Sequence, residues 1–136
     1  MPRKLKERNL ELDSKQKAFK IVEFVIGKKA NKPIVLELKK LSRSFDYFVI
    51  CSGDSERQVR AIYEEAIRLS KENRIDIHHI EDDVSSNWLL IDYFDVILHI
   101  FNQEARDYYN LEEVWSEAKR VGLPRKLFLE KTKNKV

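Results

Sequence analysis

Asp92, Asp95 and His99 stand among apolar neighbours in the stretch from Trp88 to Asn110, WLLIDYFDVILHIFNQEARDYYN. Carboxylates and an imidazole are the donors of hard-cation and general acid–base sites, so metal binding, catalysis and partner recognition are all open to this segment. Residues four apart on an extended strand project from one face, which would let Asp95 and His99 converge. Asp92 and Asp95 are an odd number apart and flank a break in the apolar pattern. Their spacing does not bring two acids together as a nucleotidyl-transfer site requires. His99 reads instead as a structural histidine, hydrogen-bonded within a sheet.

Ser52-Gly53-Asp54-Ser55 lies between an apolar run and a helical pattern, where unpaired amides attract anions. It has one glycine and neither a Gly-Lys-Ser/Thr nor a G-x-G-x-x-G element, so helix capping by Asp54 or Ser55 accounts for it. His78 and His79 are adjacent, and on a strand their rings would face opposite ways, a poor arrangement for joint metal ligation. Cys51 is the single cysteine. It has no thiol partner for a disulfide or structural zinc site, and burial in the apolar run from Phe48 would raise its pKa away from a nucleophilic thiolate. Trp88, Leu90 and Asp92 share one strand face, while Leu89, Ile91 and Tyr93 share the other. One face must enter the core. The other, if no helix covers it, is a patch suited to a partner, because Trp and Tyr bury much surface with little rotamer loss. Spacing alone leaves Trp88 equally open to a core role.

The elements that position these residues follow from periodicity. Asp13 or Ser14 can cap a first helix in which Phe19, Val22, Val25 and Ile26 recur at helical spacing, ending near Lys29. Ile34 to Leu38 reads as a strand. Asp46 to Cys51 is a nearly continuous β-favouring run, as in an interior strand covered on both faces. Val59, Ile62, Ala66 and Leu69 place a stripe along a second helix reaching about Glu72. Ile75, Ile77 and Ile80 mark a third strand; Trp88 to Tyr93 and Val96 to Phe101 form a hairpin. Phe94 fits a tight two-residue turn badly, since such turns favour Gly or Asn at positive φ, so a bulge or longer turn is expected. Gln103 to Tyr109 is a short helix, and Leu111, Val114, Trp115 and Ala118 form the stripe of a last one, punctuated by Gly122 and Pro124. The order α-β-β-α-β-β-β-α predicts an α/β fold, a mixed five-stranded sheet flanked by helices.

A chain of 136 residues with 43% hydrophobic and 36% charged residues is long enough for one domain with a real core. Residues 1–12 form a basic extension of net charge +2 and residues 123–136 a basic tail of +4, leaving −3 on the folded region 13–122. A mildly acidic body argues against a folded surface that grips nucleic acid, although basic ends can touch phosphates nearby. No apolar run approaches bilayer length, and the amino-terminal residues lack a secretion-signal core, so a cytoplasmic protein without membrane contact is expected.

Three blocks go beyond pattern. Asp46 to Ile62, DYFVICSGDSERQVRAI, resembles the DYFVI-C-S/T-G-x-S-x-R-Q-V-x-A-I segment of the Iojap family, the ribosomal silencing factors. Trp88 to Tyr93 through Val96 to Phe101 is similar to its W-x-L-x-D-x-G-D-V-x-V-H-x-F strand pair, and Glu104 to Glu112 with Trp115 to its E-A-R-x-x-Y-x-L-E-x-x-W segment. The similarity covers residues 14–118. Phe94 replaces the usual turn glycine and Glu81-Asp82 the usual Glu-Gly.

The resemblance implies a nucleotidyltransferase-like core without catalytic acids, hence no enzyme activity and no cofactor or metal. It also implies a protein that binds the large ribosomal subunit through its protein fourteen and blocks joining of the small subunit, lowering translation when nutrients are scarce. The family can also form homodimers, and basic tails would add contacts to ribosomal RNA. Trp88, Leu90, Asp92 and Tyr93, helped by Asp95 and Arg57, are the expected partner-facing residues. Two other readings compete: a divergent metal-dependent nucleotidyltransferase using Ser52, Asp92 and Asp95, and a dimeric adaptor with no ribosomal target.

Overall fold

In the computed structural model, which describes residues 12–83 and 87–128, Asp13 starts the first helix, α1 (Ser14–Ile26). Its carboxylate accepts from the Gln16 amide at 2.8 Å, while Gln16 Oε1 accepts from the Asp13 amide at 3.1 Å. Two otherwise unpaired helix-start donors are thereby satisfied. The chain continues through β1 (Asn31–Glu37) and β2 (Tyr47–Gly53) to α2 (Glu56–Glu72), which Ser55 caps by accepting from the Gln58 amide at 3.1 Å. Then follow β3 (His79–Asp83), β4 (Trp88–Asp92), β5 (Val96–Asn102), α3 (Gln103–Tyr109), α4 (Leu111–Val114) and β6 (Lys119–Val121).

The strands form one sheet in the order β3-β4-β5-β2-β1-β6. β2 and β5 run parallel, and the other neighbours pair antiparallel. Every residue of β2 is buried, as expected of an interior strand covered twice. Above the sheet, α1 and α2 close the main core over Val35, Tyr47, Val49, Cys51, Leu89, Ile91 and Leu98. Below it, Leu36, Leu38, Phe48, Ile50, Ile97 and Phe101 form a smaller core, covered by Ala105, Leu111 and Trp115. Among the described residues, no helix is long and apolar enough to cross a membrane.

Several sequence expectations need correction. The sheet has six strands, because Lys119–Val121 pairs with Val35–Glu37 along the edge of β1. Only Val121 of that strand is buried, so no apolar alternation announces it. The last predicted helix shrinks to four residues, with Trp115 as its C-cap and Val114 exposed. The third strand begins at His79; Ile75 and Ile77 precede it and pack against the core. All five residues of β3 are exposed, so pairing with β4 defines it where hydrophobicity does not. Core packing also passes the expected boundary at residue 122, since Leu123 and Leu127 join the main core. Residues 1–11 and 129–136, most of both basic ends, lie outside the described residues.

The β4–β5 turn is tight, contrary to the expected bulge or longer loop. Tyr93 N–H donates to the Val96 carbonyl at 2.8 Å, and Asp95 N–H donates to the Tyr93 carbonyl at 3.1 Å. That second bond spans two residues, with Phe94 between them at φ 81°. A positive φ crowds Cβ against the backbone and costs roughly 1–2 kcal/mol in a residue other than glycine. Phe94 recovers part of this by packing its ring 4.8 Å from that of His78, although it remains 52% exposed. Phe94→Gly is therefore expected to stabilise the protein by about 0.5–1 kcal/mol, after allowance for the greater chain entropy of glycine. A denaturant midpoint that stays put or falls would show that the Phe94–His78 contact outweighs the strain.

Candidate partner-binding surface

The pleat sends Leu89, Ile91 and Tyr93 upward into the main core and Trp88, Leu90 and Asp92 downward. The downward residues are all half-buried. The lower cover meets Trp88 through Tyr109 of α3, whose ring lies 4.7 Å away, and beyond this β4 and β3 form a shelf that no helix among the described residues covers. Directly paired residues on antiparallel strands share a face, so Asp83 joins Trp88, Glu81 joins Leu90 and His79 joins Asp92. The result is an apolar centre, Trp88 and Leu90, rimmed by the carboxylates of Glu81, Asp83 and Asp92. Tyr108, 81% exposed, extends it at the end of α3.

Trp88 Nε1 donates to His99 Nδ1 at 3.1 Å, as a structural histidine bonded within the sheet should receive it. An indole nitrogen only donates, so Nδ1 is the bare nitrogen and the imidazole proton resides on Nε2. His99 is 4% exposed, with its ring 4.5 Å from that of Phe48, edge to face. Burial disfavours the charged ring and pushes its pKa down from 6.5 to about 3.

The remaining expected site residues divide between the two sides of the sheet. Asp92 accepts the Phe94 amide at 2.8 Å and so supports the turn as well as the rim. Tyr93 leaves the surface altogether: it is fully buried, and its hydroxyl bonds Ser70 Oγ at 2.8 Å beneath α2. Burial raises its pKa, the Ser70 bond opposing this in part. Its place after Asp92 put it on the inward face of the pleat, and the large apolar ring fills the core there. Asp95 accepts from Lys17 Nζ at 2.7 Å, and Lys17 also donates to the Tyr93 carbonyl at 3.2 Å, tying α1 to the turn on the helical side. Arg57 is exposed in the first turn of α2, on the helical layer opposite Trp88.

The competing catalytic constellation does not assemble. Ser52 pairs with Phe101 and Asp92 with Ile97, four residues apart along β5, or about 13 Å at strand rise. Ser52 is itself buried, donating to Gln103 Oε1 at 3.3 Å and accepting from Arg106 Nη1 at 3.2 Å. Among the described residues, no three His, Cys, Asp or Glu side chains are grouped to hold a metal ion. Cys51 is fully buried, and its thiol pKa is pushed up to about 12. Asp54 accepts from Asn31 Nδ2 at 2.6 Å, and its amide donates to Gln58 Oε1 at 2.6 Å, so the Ser52–Ser55 turn is engaged within the chain.

Spacing alone did not single out Arg106, Tyr109, Glu81 or Asp83. Arg106, 6% exposed, donates to the carbonyls of Asn31 and Lys32, to Ser52 and to Glu112, clamping α3 and α4 onto the lower face. An Arg inside a short amphipathic helix carries no mark of that role. For the acids the usable signal was the two-residue spacing of Glu81 and Asp83, which places both on one strand face.

Such a face on a mixed sheet flanked by helices has the form of a macromolecular docking surface, with an apolar centre and a charged rim. Residues 11–136 match the family model described as "Ribosomal silencing factor during starvation". The chain is 41% identical over 102 residues to the ribosomal silencing factor of Halalkalibacterium halodurans, covering 75% of this chain and 87% of that one. It is also similar to two crystal structures. A Bacillus halodurans protein is 40% identical with a TM-score of 0.67, over 76% of this chain and 93% of that one. A Chromobacterium violaceum protein is 31% identical with a TM-score of 0.70, over 79% and 90%. The chain belongs to the ribosomal silencing factor family.

The buried imidazole makes stability depend on pH. Its folded pKa lies below the unfolded value, so the unfolded chain binds the proton first as pH falls. The His99 contribution is complete above about pH 6.5 and is lost progressively towards pH 3, by up to about 1.4 kcal/mol per pH unit. Denaturant midpoints measured across that window should fall more steeply for the natural protein than for His99→Gln. Parallel curves would mean that His99 is not held neutral by the fold.

Proposed function

We propose that this protein represses translation by docking on the large ribosomal subunit through its protein fourteen, with the Trp88–Leu90 face at the contact, and sterically excluding the small subunit. It acts in the cytoplasm by occupancy, and no bond is made or broken. The observation that carries the reading is the shelf of β3 and β4, uncovered among the described residues, where Trp88 and Leu90 are half-buried inside a rim of Glu81, Asp83 and Asp92. Carboxylates at that place complement a lysine- and arginine-bearing protein surface and repel RNA phosphates, which favours a ribosomal protein as the direct contact. Family membership supplies the ribosomal setting.

Purified large subunits, saturated with the protein and then mixed with small subunits, test both parts. Joining should fall as occupancy rises; full occupancy with unchanged joining refutes the blocking mechanism. Trp88→Ala is expected to weaken binding by about 30-fold or more, the loss of a central aromatic anchor, while circular dichroism shows the fold retained. Glu81→Lys and Asp83→Lys should weaken it too, whereas Arg57→Ala and Asp95→Ala, altered on the helical side, should bind as the natural protein does. Equal losses from Arg57→Ala and Trp88→Ala would move the contact away from the shelf.

A further inference from the structure

We propose that His99 is a positioning residue of the docking surface: its bare nitrogen fixes the orientation of the Trp88 indole, so that the outer face of the ring is presented to the partner. This rests on the reading of that face as the ribosome-binding surface.

Trp88 lies opposite Phe101 in the β4–β5 register, and His99 lies opposite Leu90, one diagonal step away. Diagonal neighbours are about 7–8 Å apart, a gap that only a long side chain spans. The indole spans it and ends in the 3.1 Å bond from Nε1 to Nδ1. Rings close around the pair: Phe101 lies 4.9 Å and Tyr109 4.7 Å from the indole, while Phe48 lies 4.5 Å from the imidazole. Packing of this kind restricts where the indole can lie, and the hydrogen bond selects which edge faces inward.

The bond to Nδ1 satisfies the indole N–H, but its contribution to stability is offset at the other ring nitrogen. With Nδ1 accepting, the proton is on Nε2, which has no hydrogen-bond partner among the described residues. A buried unpaired donor is destabilising, and an aliphatic side chain would fill this aromatic pocket without one. What the imidazole adds is a neutral acceptor on a rigid ring. A protonated ring would have no lone pair to offer, and burial keeps the ring neutral over the physiological range.

Two variants of the full chain test this. His99→Leu removes the acceptor, and His99→Gln returns one on a different side chain. Hydrogen exchange of the Trp88 indole N–H, assigned by its absence in Trp88→Phe, reads orientation directly; affinity for purified large subunits reads the consequence. In His99→Leu, indole exchange should quicken and affinity fall, each by about tenfold, while the melting temperature changes little because loss of the bond is offset by removal of the unpaired Nε2–H. His99→Gln should recover most of both. In a Trp88→Phe background, His99→Leu should cause no further loss of affinity, because the effect passes through the indole. Unchanged indole exchange in His99→Leu overturns the proposal, as do losses that multiply in the double variant. Failure of His99→Leu to fold also counts against it, by making His99 a residue of stability. If the natural protein does not bind large subunits, the docking reading fails, while indole exchange still decides whether His99 orients Trp88.

Discussion

The parallel pairing of β2 with β5 is the constraint from which the rest of the fold follows. Both strands are apolar on both faces, and such a pair must be covered from above and below. Above, α1 and α2 do this across the sheet from Val35 to Leu89. Below, a short helix, a single helical turn and Trp115 suffice for β1, β2 and β5, and the cover ends at Tyr109. The strands beyond it, β4 and β3, are paired on the sheet, and among the described residues no helix lies beneath them.

Two polar devices keep that unequal arrangement in place. Arg106 binds the lower cover to the beginning of β1 and to Ser52 at the end of β2, and Glu112 balances its buried charge. Breaking such a pair by removing one partner leaves the other charge buried and uncompensated, a far larger penalty than the net worth of the pair itself. On the other side of the sheet, Lys17 fastens the β4–β5 turn to α1, holding the turn end of the strand whose register puts Trp88 outside and Tyr93 inside. A slip of one residue would exchange those two aromatics between core and surface.

The residues that first suggested a reaction centre are spent on structure. Asp92 supports a strained turn, Asp95 pairs with Lys17, and His99 orients an indole from inside an aromatic pocket. Their polar groups serve the geometry of a surface, whose chemistry lies in the apolar centre and the acids around it. The positive φ at Phe94 belongs to the same economy of space, since only a tight turn returns the chain in register for β5.

Local signals were enough to read the helix starts, the interior character of β2, the buried thiol of Cys51 and the two faces of β4, because caps and periodicity act over a few residues. Periodicity put Trp88 and Asp92 on one strand face but left open whether that face entered the core, and the ordered match of three blocks already pointed to the silencing-factor family. The exposed strands β3 and β6 were beyond such signals, since pairing with a distant partner defines them and burial does not. Which face of β4 stays uncovered, that Tyr93 lies under α2, and that Glu81 and Asp83 complete a rim beside Trp88 were decided only by tertiary structure. Periodicity divides a strand into two faces, but what lies against each face depends on residues far away in the chain.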